Sequence, residues 1–328
     1  MVGRKSIAAA GIAAGLFVTT LRFADTQELK VWRHGILDAK SDAGFSFMID
    51  QGFAEKQGLK LKMLQFKSDP LLLQALLAGE LDSFEGGVGN SIVAAARGGE
   101  VKILGCTWTG LPHVFMARGL ASVQDLKGKT VAVGFSGSLP ELLTRVLLEQ
   151  NGIPVRAVQF SAIGSDVERF KALAAGLVDA AVVSKEFVPL MEQQGLSLIT
   201  TANDFASGFV RLCIQSTTEV LTTRPDDAAR FMTAKILALR YAASHREQTL
   251  QLTRKIARQK EEDPRPGYIF DWAIKTYALD PEVKMPVDRL TYIQEQLIKV
   301  GKLSKPFDVA KMLDTSVRAK ALKLIDKQ

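Results

Sequence analysis

An internal repeat constrains the fold of this chain more than any other feature. Residues 45–66 and 139–160 align without a gap at an offset of 94. In the first copy Phe45, Met48, Ile49, Gly52 and Phe53 fall at i, i+3, i+4, i+7 and i+8, and in the second Leu139, Leu142, Leu143, Val146 and Leu147 take the same places. That spacing puts five positions on one face of a helix. Gly58 and Gly152 follow as matched helix stops. Each copy then passes through Leu59 or Ile153 into a strand ending in Gln-Phe, at Gln65-Phe66 and Gln159-Phe160. The likeness continues between residues 74–82 and 171–179 at an offset of 97, so the second copy carries three extra residues between strand and helix. Both segments end a short helix in Gly and enter a strand through Asp.

Residues 29–33 and 130–134 read as the first strand of each unit, which makes both units strand–helix–strand–helix–strand. Such alternation implies parallel sheets with helices on both faces. The expected fold is therefore α/β, with two doubly wound lobes. The gapless register argues against a chance likeness of two α/β units. After residue 217 the strand pattern stops. Thr223-Arg224-Pro225-Asp226-Asp227 opens a helix, with Pro in its first turn and acids after it. Residues 228–257 are strongly helical, and the Pro/Gly-rich stretch 263–267 breaks them. Further helices are expected at 269–278, 287–300 and 309–313, as a tail packed on the lobes rather than a third sheet.

The N-terminus has the pattern of a secretory signal. Arg4-Lys5 precede an uncharged, apolar stretch at 7–21, shorter than the roughly 20 residues a membrane-spanning helix needs. Cleavage after Ala24 would leave Arg22 where a small residue is preferred. A buried N-terminal helix and an uncleaved anchor are the alternatives. No Cys follows closely, which argues against a lipid anchor. The formal charge is +7. Arg4, Lys5 and Arg22 account for three of these charges and residues 1–24 hold no acid, so the remainder carries +4. Those charges are interspersed, and nucleic-acid binding is not indicated. With 47% hydrophobic and 23% charged residues, a disordered chain is excluded. Cys106 and Cys213 both sit in apolar, strand-like runs and are expected as free buried thiols; whether they pair depends on geometry.

Ligands of open α/β sheets bind beyond the carboxyl ends of the strands. In lobe one those loops are 35–42, 67–70, 85–91 and 107–110; in lobe two they are 135–138, 163–165 and 184–187. The first loop is longer in lobe one than in lobe two. Ser136, Gly137 and Ser138 stand at a helix start, where unpaired N–H groups and a partial positive charge suit an anion. Ser138 serves equally as a plain helix cap. Asn90 follows a Gly-Gly-Val-Gly turn that suits an anion in the same way, though it is neither a Walker loop nor a dinucleotide fingerprint. Ser68 lies in the second loop. Trp108 ends a strand and suits either stacking on a ligand or the core. Asp38, Glu85 and Glu186 suit hydrogen bonds from an amine or hydroxyl, with solvated surface acids as the plain alternative. His34, His113 and His245 are scattered without metal-ligand spacing, and no nucleophile elbow or Cys/His signature is present. No catalysis, metal or cofactor is expected.

Four stretches carry a family resemblance: residues 52–59 (Gly-Phe-Ala-Glu-Lys-Gln-Gly-Leu), 76–82, 122–133 (beginning Ser-Val-Gln-Asp-Leu-Lys-Gly-Lys) and 174–181. Through them the chain resembles periplasmic solute-binding proteins of ABC importers, in the sulfonate/nitrate/taurine group with its thiamine-pyrimidine-precursor relatives. The resemblance spans roughly residues 29–313. It implies a type II periplasmic-binding fold, with residues 1–24 as signal, 25–117 plus 211–328 as lobe one with the C-terminal helices, and 118–210 as lobe two. It implies that the chain enters lobe two near Arg118 and returns near 210–215. It further implies a periplasmic monomer that docks on a membrane permease and carries no cofactor. The Gly137-Ser138 element and Glu186 match positions that contact ligand in such proteins. The aromatic residue common two places before that acid is Ser184 here, and the first loop of lobe one lacks the usual aromatic pattern. The pyrimidine-synthesising enzymes of this scaffold use a Cys-rich segment that is absent, and regulators built on it carry an N-terminal helix-turn-helix where this chain has its apolar segment. The serines and Gly-rich helix starts favour a small organic anion such as a sulfonate. Glu85, Glu186 and Asp38 would instead suit an amine or pyrimidine.

Overall fold

The computed structural model describes residues 1, 3, 28–37 and 43–327. The signal-like segment and Asp38 lie outside the described residues. The chain opens with β1 (Lys30–Ile36), α1 (Ala43–Asp50), α2 (Phe53–Lys56), β2 (Leu59–Gln65) and α3 (Asp69–Leu77). Next come β3 (Ser83–Gly86), α4 (Gly89–Ala96) and β4 (Val101–Trp108). The second unit holds β5 (His113–Ala117), β6 (Thr130–Val133), α5 (Leu139–Gln150), β7 (Gln159–Ala162) and α6 (Asp166–Ala174). It continues with β8 (Ala180–Ser184), α7 (Val188–Met191), β9 (Ser197–Thr201) and α8 (Ala202–Phe205). The chain then returns through β10 (Leu212–Thr217) into α9 (Thr218–Thr223), α10 (Pro225–Ser244) and α11 (Arg246–Ala257). It closes with α12 (Arg265–Lys275), α13 (Val287–Lys299) and α14 (Ser316–Ile325).

These strands form two five-stranded sheets, ordered β2-β1-β3-β10-β4 and β7-β6-β8-β5-β9. The repeat appears as a repeated ladder. β1 pairs in parallel with β2 and β3, and β6 pairs in parallel with β7 and β8. Neither sheet is wholly parallel, however. β10 runs antiparallel between β3 and β4, and β5 runs antiparallel between β8 and β9. Each sheet thus takes in one strand from the chain's passage between the lobes, a pairing that local periodicity does not encode. β4 belongs to the first sheet and β5 to the second, so the chain crosses between the sheets at residues 109–112. It comes back to the first sheet through residues 202–211, between β9 and β10.

The two copies differ in their first helix. In the second copy α5 runs unbroken, with Leu142, Leu143, Val146 and Leu147 buried. In the first, Gly52 adopts a left-handed φ of 65° and splits the segment into α1 and α2, leaving Ile49 exposed. Gly58 and Gly152, the matched stops, have φ of 74° and 64°, conformations that cost Gly little. The tail is helical as expected, except that the long segment breaks at His245 and α14 follows beyond the foreseen helices. One face of the first sheet packs on α10, where Trp32 stacks on Phe231 at 5.3 Å. A further buried cluster joins Ile92 of α4, Leu143 and Val146 of α5, and Ile293 and Leu297 of α13, so the tail stitches both lobes on one side.

The free-thiol expectation is corrected. Cys106 and Cys213 form a disulfide. The cause is topological: β10 returns beside β4 and sets Cys213 opposite Cys106 in the antiparallel register. At the same place Arg289 of α13 donates to the carbonyls of Thr109 and Phe209, one on each crossing segment.

Candidate ligand-binding site

The strand ends of both sheets face a cavity of about 520 Å³ between the lobes. Three helices begin on its wall. Their N-cap residues are all serine: Ser68 for α3, Ser138 for α5 and Ser165 for α6. The repeat explains this convergence, since α3 and α6 occupy equivalent places in the two units. Helix N-termini present unpaired N–H groups and about half a positive charge each, so this wall is electropositive before any side chain is counted.

The protein's own carboxylates meet much of that potential. Asp69, only 4% exposed, accepts from the Gly87 amide at 2.8 Å, and the Leu139 amide at the start of α5 also acts to lower its carboxyl. A Cβ at Gly86 would lie 2.7 Å from its Oδ1, so Gly at that position makes room for the carboxylate. Burial pushes the Asp69 carboxyl up to about 6, against the lowering effect of those amides. The Gly137 amide donates to Glu141 at 3.0 Å. At α6, the Ser165 amide donates to Glu168 at 2.9 Å in a capping box. The Ser138 hydroxyl is different. It is 7% exposed, faces the cavity, and has no hydrogen-bond partner among the described residues.

Two buried groups complete the floor. His113, at the start of β5, lines the cavity, and its Nδ1 has no partner among the described residues. Burial holds its imidazole down to about 3, with Arg211 and Arg169 adding to the effect and Asp166 opposing it, so the ring is neutral at ordinary pH. Glu85 also lines the cavity but is not a bare charge. Lys235 of α10, wholly buried, places Nζ 2.7 Å from its Oε2, and the Thr107 hydroxyl donates to Oε1. Arg169 is committed to structure: it donates to the carbonyls of Val182, Ile163 and Gly164 and to Asp166.

A smaller compartment of about 80 Å³ lies beyond Asp166 and Arg211, which border both spaces. Its walls are Trp108, Ser184 and Glu186 together with apolar side chains of α10, α11 and α12. The Arg211 guanidinium sits 4.9 Å from the centre of the Trp108 ring.

The residues singled out from sequence therefore separate into groups. Ser68 and Ser138 face the main cavity, whereas Trp108 and Glu186 face the small compartment. Asn90 and Gly137 meet each other instead, with Asn90 Nδ2 donating to the Gly137 carbonyl across the lobes at 2.6 Å. Ser136 is exposed and lines neither space. Sequence reasoning missed Asp69, His113 and Arg211. A signal for Asp69 existed: Ser68-Asp69-Pro70 repeats the Ser-x-Pro of Ser138-Leu139-Pro140.

Residues 42–249 match the family described as NMT1/THI5 like. The chain belongs to the NMT1/THI5-like family. A Brucella abortus relative that carries a binding-protein name is 25% identical over 277 residues, covering 79% of this chain and 82% of the relative. Among solved structures, the alkanesulfonate-binding protein of Xanthomonas axonopodis bound to MOPS superimposes with a TM-score of 0.72 at 18% identity, over 88% of this chain and 99% of that one. The periplasmic nitrate-binding protein of Synechocystis gives 0.69 at 14%, over 92% and 90%. These likenesses establish the fold, two mixed α/β lobes of the periplasmic binding-protein type. The proteins so matched are binding proteins rather than enzymes. Among the described residues, no helix is long and apolar enough to cross a membrane, and no cluster of His, Cys, Asp and Glu has the arrangement of a metal site.

Proposed function

We propose that the protein is the extracytoplasmic substrate-binding component of an ABC importer and that it holds a small, sulfonate-like organic anion between its lobes. The observation that carries this reading is the convergence of three serine-capped helix N-termini, drawn from both lobes, on one cavity. Ser138 and His113 supply buried hydrogen-bonding groups to the anion, and Ser68 meets it from lobe one. Contacts to both lobes at once favour the closed form, which a permease would recognise. The protein acts as a periplasmic monomer, performs no chemistry on its solute and needs no cofactor.

A second reading rests on Glu186 beside Trp108 in the small compartment. An acid next to an aromatic wall suits a nitrogenous solute such as a thiamine-pyrimidine precursor.

Thermal unfolding with a panel of sulfonates, nitrate, carboxylates and aminopyrimidines separates the two. A ligand at about a hundred times its Kd adds about 2.7 kcal/mol of stability, a rise of several degrees for a chain of this size. Sulfonates should produce it. A rise with aminopyrimidines and none with any anion would replace the first reading by the second.

A further inference from the structure

The start of α5 holds two features that compete for one ligand charge. The Ser138 hydroxyl, 93% buried, faces the cavity without a partner among the described residues. The Asp69 carboxylate of lobe one borders the same cavity beside Leu139, whose amide helps to hold that carboxyl down. An anion held by Ser138 thus lies against a second negative charge at the same helix end. Two buried carboxylate-like charges in one site do not both stay ionised, and one takes a proton.

We propose that Asp69 is a built-in anion at the α5 N-terminus and that binding of an anionic solute there is coupled to uptake of one proton by Asp69. This rests on the anion reading above and adds its regulation by pH. The other charged groups facing Asp69 do not supply the same response. On lobe one Glu85 is paired with Lys235, and Lys67 is an exposed cation. From lobe two Asp166 is held by Arg169, Glu168 is held down by the Ser165 amide and hydroxyl, Glu141 is paired with Arg145 and Lys302, and Arg211 stays charged. His113 stays neutral down to about 3. The Asp69 carboxyl, raised by burial to about 6, is the group whose proton an added negative charge would retain near neutrality.

The test is calorimetric titration of the protein with methanesulfonate from about pH 5.5 to about pH 8.5, in two buffers of different ionisation enthalpy, with Asp69→Asn alongside. The wild type should take up close to one proton per ligand near pH 7.5, and its Kd should rise about tenfold or more across the range. Asp69→Asn should bind with a Kd that hardly changes with pH. Proton uptake is read on the wild type alone, so the proposal stays falsifiable if the variant folds poorly. A wild-type Kd constant within about twofold and no proton uptake would overturn it while leaving the anion reading intact. An equal pH dependence in both proteins would overturn it too, by assigning the proton elsewhere. Absence of methanesulfonate binding by both proteins at every pH would remove the anion reading itself, and this inference with it.

Discussion

The Cys106–Cys213 bridge gives the most quantitative prediction. The two residues are 107 positions apart, and the bridge closes a loop that contains every strand of the second sheet. Cross-linking a chain over that distance removes roughly 16 cal/mol/K of entropy from the unfolded ensemble, about 4.8 kcal/mol at about 25 °C. The folded state changes little on reduction, because the β4–β10 ladder holds both residues in register without the sulfur bond. The double variant Cys106→Ser/Cys213→Ser should therefore lose about 4–5 kcal/mol, a large share of the 5–15 kcal/mol typical of a folded protein. Urea unfolding followed by circular dichroism reads this directly. The variant and the wild type refolded under dithiothreitol should share one low midpoint, and both should show a steeper denaturant dependence because their unfolded chains are more expanded. A loss below about 1 kcal/mol in both would show that the loop-entropy reasoning does not hold for this chain.

Two further outcomes follow from buried groups. Lys235→Met leaves Glu85 buried without its cation and should cost about 3–5 kcal/mol. The double variant Lys235→Met/Glu85→Gln should recover most of that loss, and a double variant no more stable than the single one would refute the pairing argument. His113 must stay neutral in the folded protein but charges freely when unfolded, so its contribution to stability is present above about pH 6.5 and is lost as the pH falls toward about 3. At about pH 4.5 the loss is about 3 kcal/mol. His113→Gln should flatten the acid side of the stability profile by about that amount, measured as urea midpoints across pH; an unchanged profile would place the imidazole in solvent.

Local patterns made the elements legible, and long-range pairing hid the rest. The offset of 94 between the copies encodes the two equivalent ladders, and the matched stops at Gly58 and Gly152 mark the same turn in each. The split at Gly52 leaves no mark on the pattern, because Phe53 falls in helical register with Phe45 whether or not the helix breaks between them. The partner of Cys213 could not be read, since only the insertion of β10 between β3 and β4 brings a residue 107 places away into contact. The site was legible at the level of loops. Ser68 and Ser138 were placed by the rule that helix starts face the crevice. Gly137 and Asn90 obey the same rule, yet their side of the turn meets the opposite lobe. His113 was invisible because it is not in a loop that follows a strand; it stands at the start of one that exists only after the crossing.

The strand exchange also fixes an order of assembly. All five strands of the second sheet lie between residues 113 and 201, so a chain emerging N-terminus first has everything that sheet needs once β9 is out. The first sheet has no such independence. β4 has β10 as its sheet neighbour, and β10 begins only at Leu212. A chain that emerges N-terminus first therefore presents β4 before its only sheet neighbour, and every strand of the second sheet comes out between the two.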